Sequence, residues 1–399
     1  MGTPDAFPGG LSRRTGQDRL WTGNFLKFLF INLFIFLGLD ILLPTLSLYL
    51  ESFGATEADI GRIYSVFVIS AILMRMTSAR LVAGRSALAL ASMGLLTCGL
   101  AVLCYYWATN TYLAMGVRLI QGAGLGLATA LLTSLASQAI PPTRMGEGMG
   151  YLGLGTTMAL ALGPFFGVRL MNAWGFLTLF GVASLCYAAS IGVALSIRDI
   201  KPSRAERPRP GLVLFSALIW PQSLMMFIAG LIFNTIIVYM ALFCKERGLG
   251  HADSFFVFST LGILISRLSS GRIYDNFGHQ YVILPSTGLL LVTMLILYQA
   301  DSPRLLLVAS ILYGLSSGAL FPGLQALSLA GVPLERRTEA TASFMNSYDL
   351  GFGLGSLLMG QLAFLTHRYA TVYLAAAGAA CLLLAFYLGY YFIWLRRRP

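Results

Sequence analysis

Apolar residues run along the chain in twelve long blocks, at about 25–50, 60–83, 87–107, 111–137, 146–167, 174–197, 212–243, 253–274, 280–299, 304–330, 338–365 and 370–395. Each reaches the roughly 20 residues that an α-helix needs to cross the hydrocarbon core of a bilayer. Helices are the open-ended way to pair every backbone N–H and C=O in lipid. The pattern therefore predicts an all-α integral membrane protein with twelve transmembrane helices. The longest polar stretch between blocks, "RDIKPSRAERPRPG" at 198–211, falls midway along the chain. The expected order is a retained tail over 1–24, a six-helix bundle over 25–197, a linker over 198–211, a second six-helix bundle over 212–395 and a basic tail over 396–399.

Composition agrees and removes other classes. Of the 399 residues, 57% are hydrophobic and 11% charged, against roughly a quarter charged in soluble domains. The net charge of +11 would suit nucleic acid, but its placement has another cause. Of the 27 Lys and Arg, 20 fall on one side of the predicted membrane and six on the other, and Arg118 lies inside a block. The positive-inside rule then puts both termini in the cytoplasm, and no nucleic-acid partner is called for. The five cysteines form no C-x-x-C pair and the three histidines fall in loops, so no disulfide framework, metal site or cofactor is expected. A membrane enzyme would need nucleophiles, histidines or paired carboxylates clustered at one face, and none is present. "GAGLG" and "GFGLG" sit inside apolar blocks with no Lys-Ser/Thr after them. They read as helix-packing positions rather than phosphate loops.

The two halves repeat. "SFGATEAD", ending at Asp59, aligns with "ERGLGHAD", ending at Asp253, at a displacement of 194. "RMTSARLVA" from Arg75 aligns with "RLSSGRIYD" from Arg267 at 192, and Arg144 and Gly167 meet Arg337 and Gly360 at 193. An even number of helices per repeat makes the halves parallel. That arrangement places a substrate site near mid-membrane between the bundles, with alternating access by rocking.

Four stretches carry a family likeness. "RLIQGAGLG" (118–126), "ALGPFFG" (161–167), "GLDILLPTLSLYL" (38–50) and "GRIYDNFGHQ" (271–280) match the fourth-helix, fifth-helix, first-helix and cytoplasmic-loop motifs of one family. Together they resemble the drug/proton antiporter branch of the major facilitator superfamily, with exporters of opine-type metallophores as a neighbouring group. The resemblance implies a bacterial plasma- or inner-membrane transporter, expected as a monomer. It would move small amphipathic or cationic molecules outward in exchange for protons. A dedicated metallophore or sugar exporter is the second reading, and a membrane receptor the third. It makes Gly163 and Pro164 a hinge that limits leak. It gives the loop arginines and glycines (Arg75, Arg80, Arg267, Gly271, Arg272, Gly278) and Asp275 a gating role, Asp275 clamping a neighbouring helix on the cytoplasmic side. The first half departs from that loop motif, with Ala79 and Ala83 where the second has Gly271 and Asp275.

The charges inside the blocks carry the candidate chemistry. Arginine at mid-membrane costs about 2.5–3.5 kcal/mol on insertion scales and requires a partner. Counted at 1.5 Å per residue from the outer boundary, Asp40 lies about 15 Å deep and Arg118 about 11 Å, so the two are expected to meet. A carboxylate beside a guanidinium stays ionised, whereas one desolvated without it takes up a proton. The pair therefore reads as a proton switch or as a static tie between two helices. The family resemblance, in which the fourth-helix arginine is tied to proton coupling, favours the switch. In the second half Asp40 maps onto Asn234 at 194 and Arg118 onto Gly314 at 196. That half has its own acid, Asp349, where the fifth helix has Thr156; it reads as a second proton site, as a counter-ion for cargo, or as an inner-half acid bonded to backbone or to a loop arginine. Asn32, Asn234, Tyr239, Gln325, Asn346 and Tyr348 are the expected cavity residues.

Overall fold

The computed structural model describes residues 19–82, 85–141, 144–197, 216–249, 252–333 and 336–395. The expected linker, the ends of both tails and Ala83 lie outside the described residues. Among those described there is no strand. The helices are α1 (Gly23–Ser52), α2 (Glu57–Leu81), α3 (Ala87–Cys104), α4 (Thr111–Gln138), α5 (Met145–Leu195), α6 (Trp220–Glu246), α7 (Ala252–Phe277), α8 (Gln280–Gln299), α9 (Pro303–Leu329), α10 (Arg337–Thr366) and α11 (Ala370–Tyr390). Local chemistry fixes several starts. The side chains of Thr22, Ser86 and Asn110 each accept a backbone N–H of the first turn, and Thr56 and Asp59 form a reciprocal capping box. Such caps satisfy donors that have no partner within the helix.

These eleven helices make twelve crossings because α5 crosses twice. Trp21, before α1, stacks near Tyr151 early in α5, and Lys27 donates to the Ser196 carbonyl just after its end. Both ends of α5 therefore lie at the face where α1 begins. The reversal occurs at Gly175, whose φ of 76° is left-handed, a conformation glycine adopts without a Cβ penalty. The face carrying the start of α1 is called proximal here, and the opposite face distal. Gln222 at the start of α6 donates to the Tyr390 hydroxyl at the end of α11, so the second half begins and ends on one face as well. Across the halves α2 packs on α10, α5 on α7 and α1 on α6.

Small residues bring the backbones together, and they do so twice in the same register. A Cβ on Gly122 would overlap the Phe67 carbonyl, and one on Gly314 the Ser259 carbonyl, each contact displaced by 192 from the other. Gly126 against Ala71 is repeated by Gly318 against Ile263 at the same displacement. This corrects the alignment of the fourth helix: Gly122, not Arg118, is the counterpart of Gly314, and Arg118 corresponds to Ser310. The other pairing is reproduced in the packing. Gly163 lies against Asp40 Cβ as Gly355 lies against Asn234 Cβ.

Gly167 shows how closely this packing is set, since an added Cβ would overlap the Ile41 carbonyl of α1. Overpacking a tight contact typically costs about 1–3 kcal/mol. Gly167→Val is therefore expected to lower the thermal unfolding midpoint of the purified protein by several degrees. Gly116→Ala in α4, where an added Cβ meets nothing within 4 Å, should leave it unchanged or slightly raised.

Candidate functional site

Arg118 is fully buried inside the first bundle. Its Nη1 donates to Gln121 Oε1 at 2.8 Å, one turn along α4, and Gln121 Oε1 also accepts from the Tyr105 hydroxyl at 3.3 Å. The guanidinium lies over two rings of α2, 4.1 Å from the centroid of Phe67 and 5.0 Å from that of Tyr64. A desolvated cation–π contact contributes about 2 kcal/mol, comparable to the insertion penalty. Arg118 Nε and Nη2, Gln121 Nε2 and the Tyr187 hydroxyl remain buried without hydrogen bonds.

Asp40 is also buried, 3% exposed, but on another face. Its Cβ packs against Gly163 of α5, and its carboxylate has no hydrogen-bond or ion-pair partner among the described residues. It is close enough to influence Tyr187 behind it and Tyr348 of α10 across the bundle interface. The expected contact between Asp40 and Arg118 is therefore not formed here. Two causes are visible. α1 continues to Ser52, which places Asp40 about 18 Å below its distal end while Arg118 stays at about 11 Å. Arg118 also turns toward α2 and α3, whereas Asp40 turns toward α5.

The third charged group is complete. Arg75 of α2 donates to Asp349 Oδ2 at 2.8 Å and to Asn346 Oδ1 at 3.3 Å, joining the halves across the α2–α10 contact. Both charged side chains are about 30% exposed, so the pair sits at the edge of the sealed region. Its counterpart in the repeat is Arg267 of α7, whose Nη2 donates to the Thr157 hydroxyl of α5 at 2.9 Å. Thr157, rather than Thr156, stands where Asp349 stands.

The other expected residues divide. Asn32 donates to the Leu152 carbonyl and the Thr156 hydroxyl, tying α1 to α5. Asn234 and Tyr239 are fully buried between α6 and α10, donating to the Ser356 hydroxyl and carbonyl respectively. In this conformation they belong to helix packing and do not line an open cavity, because Gly351 and Gly355 draw the two helices together. Tyr348 stacks edge-on against Phe321, and Gln325 is half-buried. Pro164 is buried, whereas Arg80, Gly271, Arg272 and Asp275 are exposed at the proximal end, and Gly278 ends α7 with φ 97°. Asp275 clamps no helix among the described residues.

Sequence reasoning missed Gln121, Thr157 and the distal closure. The first two were signalled, by the three-residue spacing from Arg118 and by the displacement of 192 from Asp349. At the distal end Lys245 of α6 reaches Glu51 of α1 at 2.8 Å. These two line a cavity of about 330 Å³ with Glu57, Glu246, His367 and Tyr369. Glu246 accepts the Tyr369 backbone N–H. Burial and the carboxylates of Glu57, Glu51 and Glu246 push the Tyr369 hydroxyl up, so it stays a neutral donor. Gly38 to Ser47 of α1 and Ile232 to Cys244 of α6 are buried without interruption, while their proximal halves are partly exposed. The distal end is the closed one.

The family model of the Major Facilitator Superfamily matches residues 28–299 and, in a second alignment, 256–399. The chain belongs to that superfamily. It is a multi-pass membrane transporter, not an enzyme. It is 25% identical over 373 residues to the multi-drug resistance efflux pump PmrA of Streptococcus pneumoniae, covering 88% of this chain and 91% of that one. It is 20% identical over 356 residues to the staphylopine export protein of Staphylococcus aureus, covering 85% and 89%. Its fold matches the crystal structure of the nucleoside transporter NupG with a TM-score of 0.69 at 16% identity, over 92% of this chain and 99% of that one.

An exposed ion pair is worth about 0–1 kcal/mol, which suits a contact that must open. Reversing one partner, Glu51→Lys or Lys245→Glu, replaces attraction by repulsion. Each is expected to raise distal opening roughly five-fold, for a change near 1 kcal/mol. The readout is labelling of Leu242→Cys by a membrane-impermeant maleimide, with Cys104 and Cys381 replaced by Ser. The double reversal should return labelling to the starting rate.

Proposed function

We propose that this transporter exports small amphipathic molecules, cationic ones among them, from a bacterial cell in exchange for protons, by alternating access. The proximal face is then cytoplasmic, a reading supported by the distribution of Lys and Arg, and the closed distal end is the outer gate. Export is supported by the two curated relatives, one a multidrug efflux pump and the other a staphylopine exporter.

The observation that carries proton coupling is the isolation of Asp40. It is an intramembrane carboxyl at the tight α1–α5 contact beside Pro164, without a counter-charge. An ionisable group in that position is a functional site by default. Burial away from cations favours the protonated form of a carboxyl, and access to water or to a guanidinium favours the ionised one. Motion of α1 against α5 changes that access, so the proton is held in one state and released in another. Arg118, caged by Gln121, Phe67 and Tyr64, supplies a fixed positive charge within the same bundle. It is not the resting partner of Asp40. Asp349 is already paired with Arg75, which supports reading it as a tie between halves and Asp40 as the proton carrier. The second reading, a dedicated metallophore exporter, rests on the staphylopine relative.

Asp40→Asn keeps the size of the side chain and removes its proton. In proteoliposomes carrying an inward proton gradient, efflux of ethidium driven by that gradient is expected to fall to background, while exchange without a gradient persists. Undiminished gradient-driven efflux in the variant would remove Asp40 from coupling. Stabilisation of the purified protein by staphylopine with no response to ethidium would favour the second reading.

A further inference from the structure

Besides Asp40, the spans hold the charged side chains of Arg118, Arg75, Asp349 and Arg267, and the first three are accounted for. Arg118 has its aromatic cage, and Arg75 and Asp349 have each other. Arg267 is different. It occupies the position of Arg75 in the repeat, on the helix that crosses to the other half at the same level. The residue that meets it is Thr157, where the first crossing has Asp349. Its Nε is buried with no hydrogen bond, and no carboxylate pairs with it among the described residues. One neutral hydroxyl does not balance a guanidinium inside a membrane, where charged groups pair or mark a ligand path. Guanidinium is also the side chain suited to a planar, two-oxygen anion.

We propose that Arg267, with the Thr157 hydroxyl beside it, is an anion-binding point of the transport path that takes a carboxylate or phosphate group. Thr157 meets Arg267, and Gly163, six residues farther along the same helix, meets Asp40 on another face of α5. The anion point is therefore separate from the carboxyl assigned to the proton. The favoured class is amphipaths that carry a carboxylate or phosphate group. This deepens the proposed export function and rests on it for the direction of movement. The same anion chemistry is offered by a phospholipid headgroup, which the test separates from cargo.

The test uses the full chain in phosphatidylcholine nanodiscs and three probes of matched tail: octanoate, octyl phosphate and octylammonium. Octanoate and octyl phosphate are expected to raise the thermal unfolding midpoint saturably. Arg267→Gln, which can still hydrogen-bond Thr157, should abolish both responses, and Arg267→Lys should weaken them about ten-fold. Thr157→Asp installs the counter-ion of the first half and should also abolish them. The octylammonium response should survive in Arg267→Gln, which shows that the variant is folded. Equal anion responses in wild type and Arg267→Gln, or none in wild type, would overturn the proposal. In phosphatidylglycerol nanodiscs, an Arg267-dependent stabilisation to which octanoate adds nothing identifies the anion as a headgroup; a further octanoate shift identifies cargo. Because the readout is binding, failure of proton-driven efflux in the ethidium assay would leave this result standing, and the reverse.

Discussion

Inside an apolar bilayer an ionised side chain must find compensation within protein, and the structure solves this differently at each site. Arg118 is compensated by rings and an amide, with no opposite charge. Arg75 and Asp349 are compensated by each other. Asp40 and Arg267 are compensated least, one by nothing polar among the described residues and the other by a single hydroxyl. A fully paired group is held in place and offers little to a ligand or a proton. An under-compensated one gains by binding something, and that gain is what a transporter can couple to motion. The groups left open to a ligand or a proton are therefore Asp40 and Arg267 rather than Arg118, the most conspicuous charge in the sequence.

These groups sit where they do because glycines set the spacing of the helices. Without a strong hydrophobic drive between helices in lipid, association depends on close backbone approach at small residues. Gly163 and Gly167 press α5 onto Asp40 and Ile41, and Gly122 and Gly126 press α4 onto α2, where Phe67 and Tyr64 receive the guanidinium. The Gly122, Gly126 and Gly163 contacts recur in the second half at Gly314, Gly318 and Gly355, each displaced by 192, but their polar contents have diverged. Asn234 replaces Asp40, Ser310 replaces Arg118, and Thr157 and Asp349 exchange a hydroxyl for a carboxylate. The scaffold is duplicated while the charges are not, so the two halves offer different polar groups at equivalent positions.

The architecture was legible because lipid imposes it on every segment: apolar blocks of about twenty residues have few alternatives to crossing helices. Helix faces were not legible from depth alone. Counting rises along α1 and α4 placed Asp40 and Arg118 at similar levels, yet contact also depends on which way each side chain turns about its helix, and they turn apart. The alignment of the fourth helices slipped by four residues because glycine-rich runs match themselves in several registers. Packing chooses among those registers, since only Gly122 and Gly314 meet the same carbonyl of the neighbouring helix. The reversal is expected between blocks 146–167 and 174–197 and occurs at Gly175, just inside the second, because a turn this short carries no polar run to mark its centre.

The two ends of the molecule have unequal closures, and that inequality follows from what each must do. Distally the halves meet over long buried stretches of α1 and α6, capped by one exposed ion pair and a small acidic cavity. Proximally the Arg75–Asp349 tie is partly exposed, its counterpart in the repeat joins Arg267 to the neutral Thr157, and Asp275 is exposed with no ion pair among the described residues. A closed end built mainly from apolar contact and weak exposed charges can part without leaving a desolvated ion behind, because its charges already touch water. A strong buried ion pair there would resist each cycle by several kcal/mol. The buried Asp40 and Arg118 lie instead between the two ends, away from both closures.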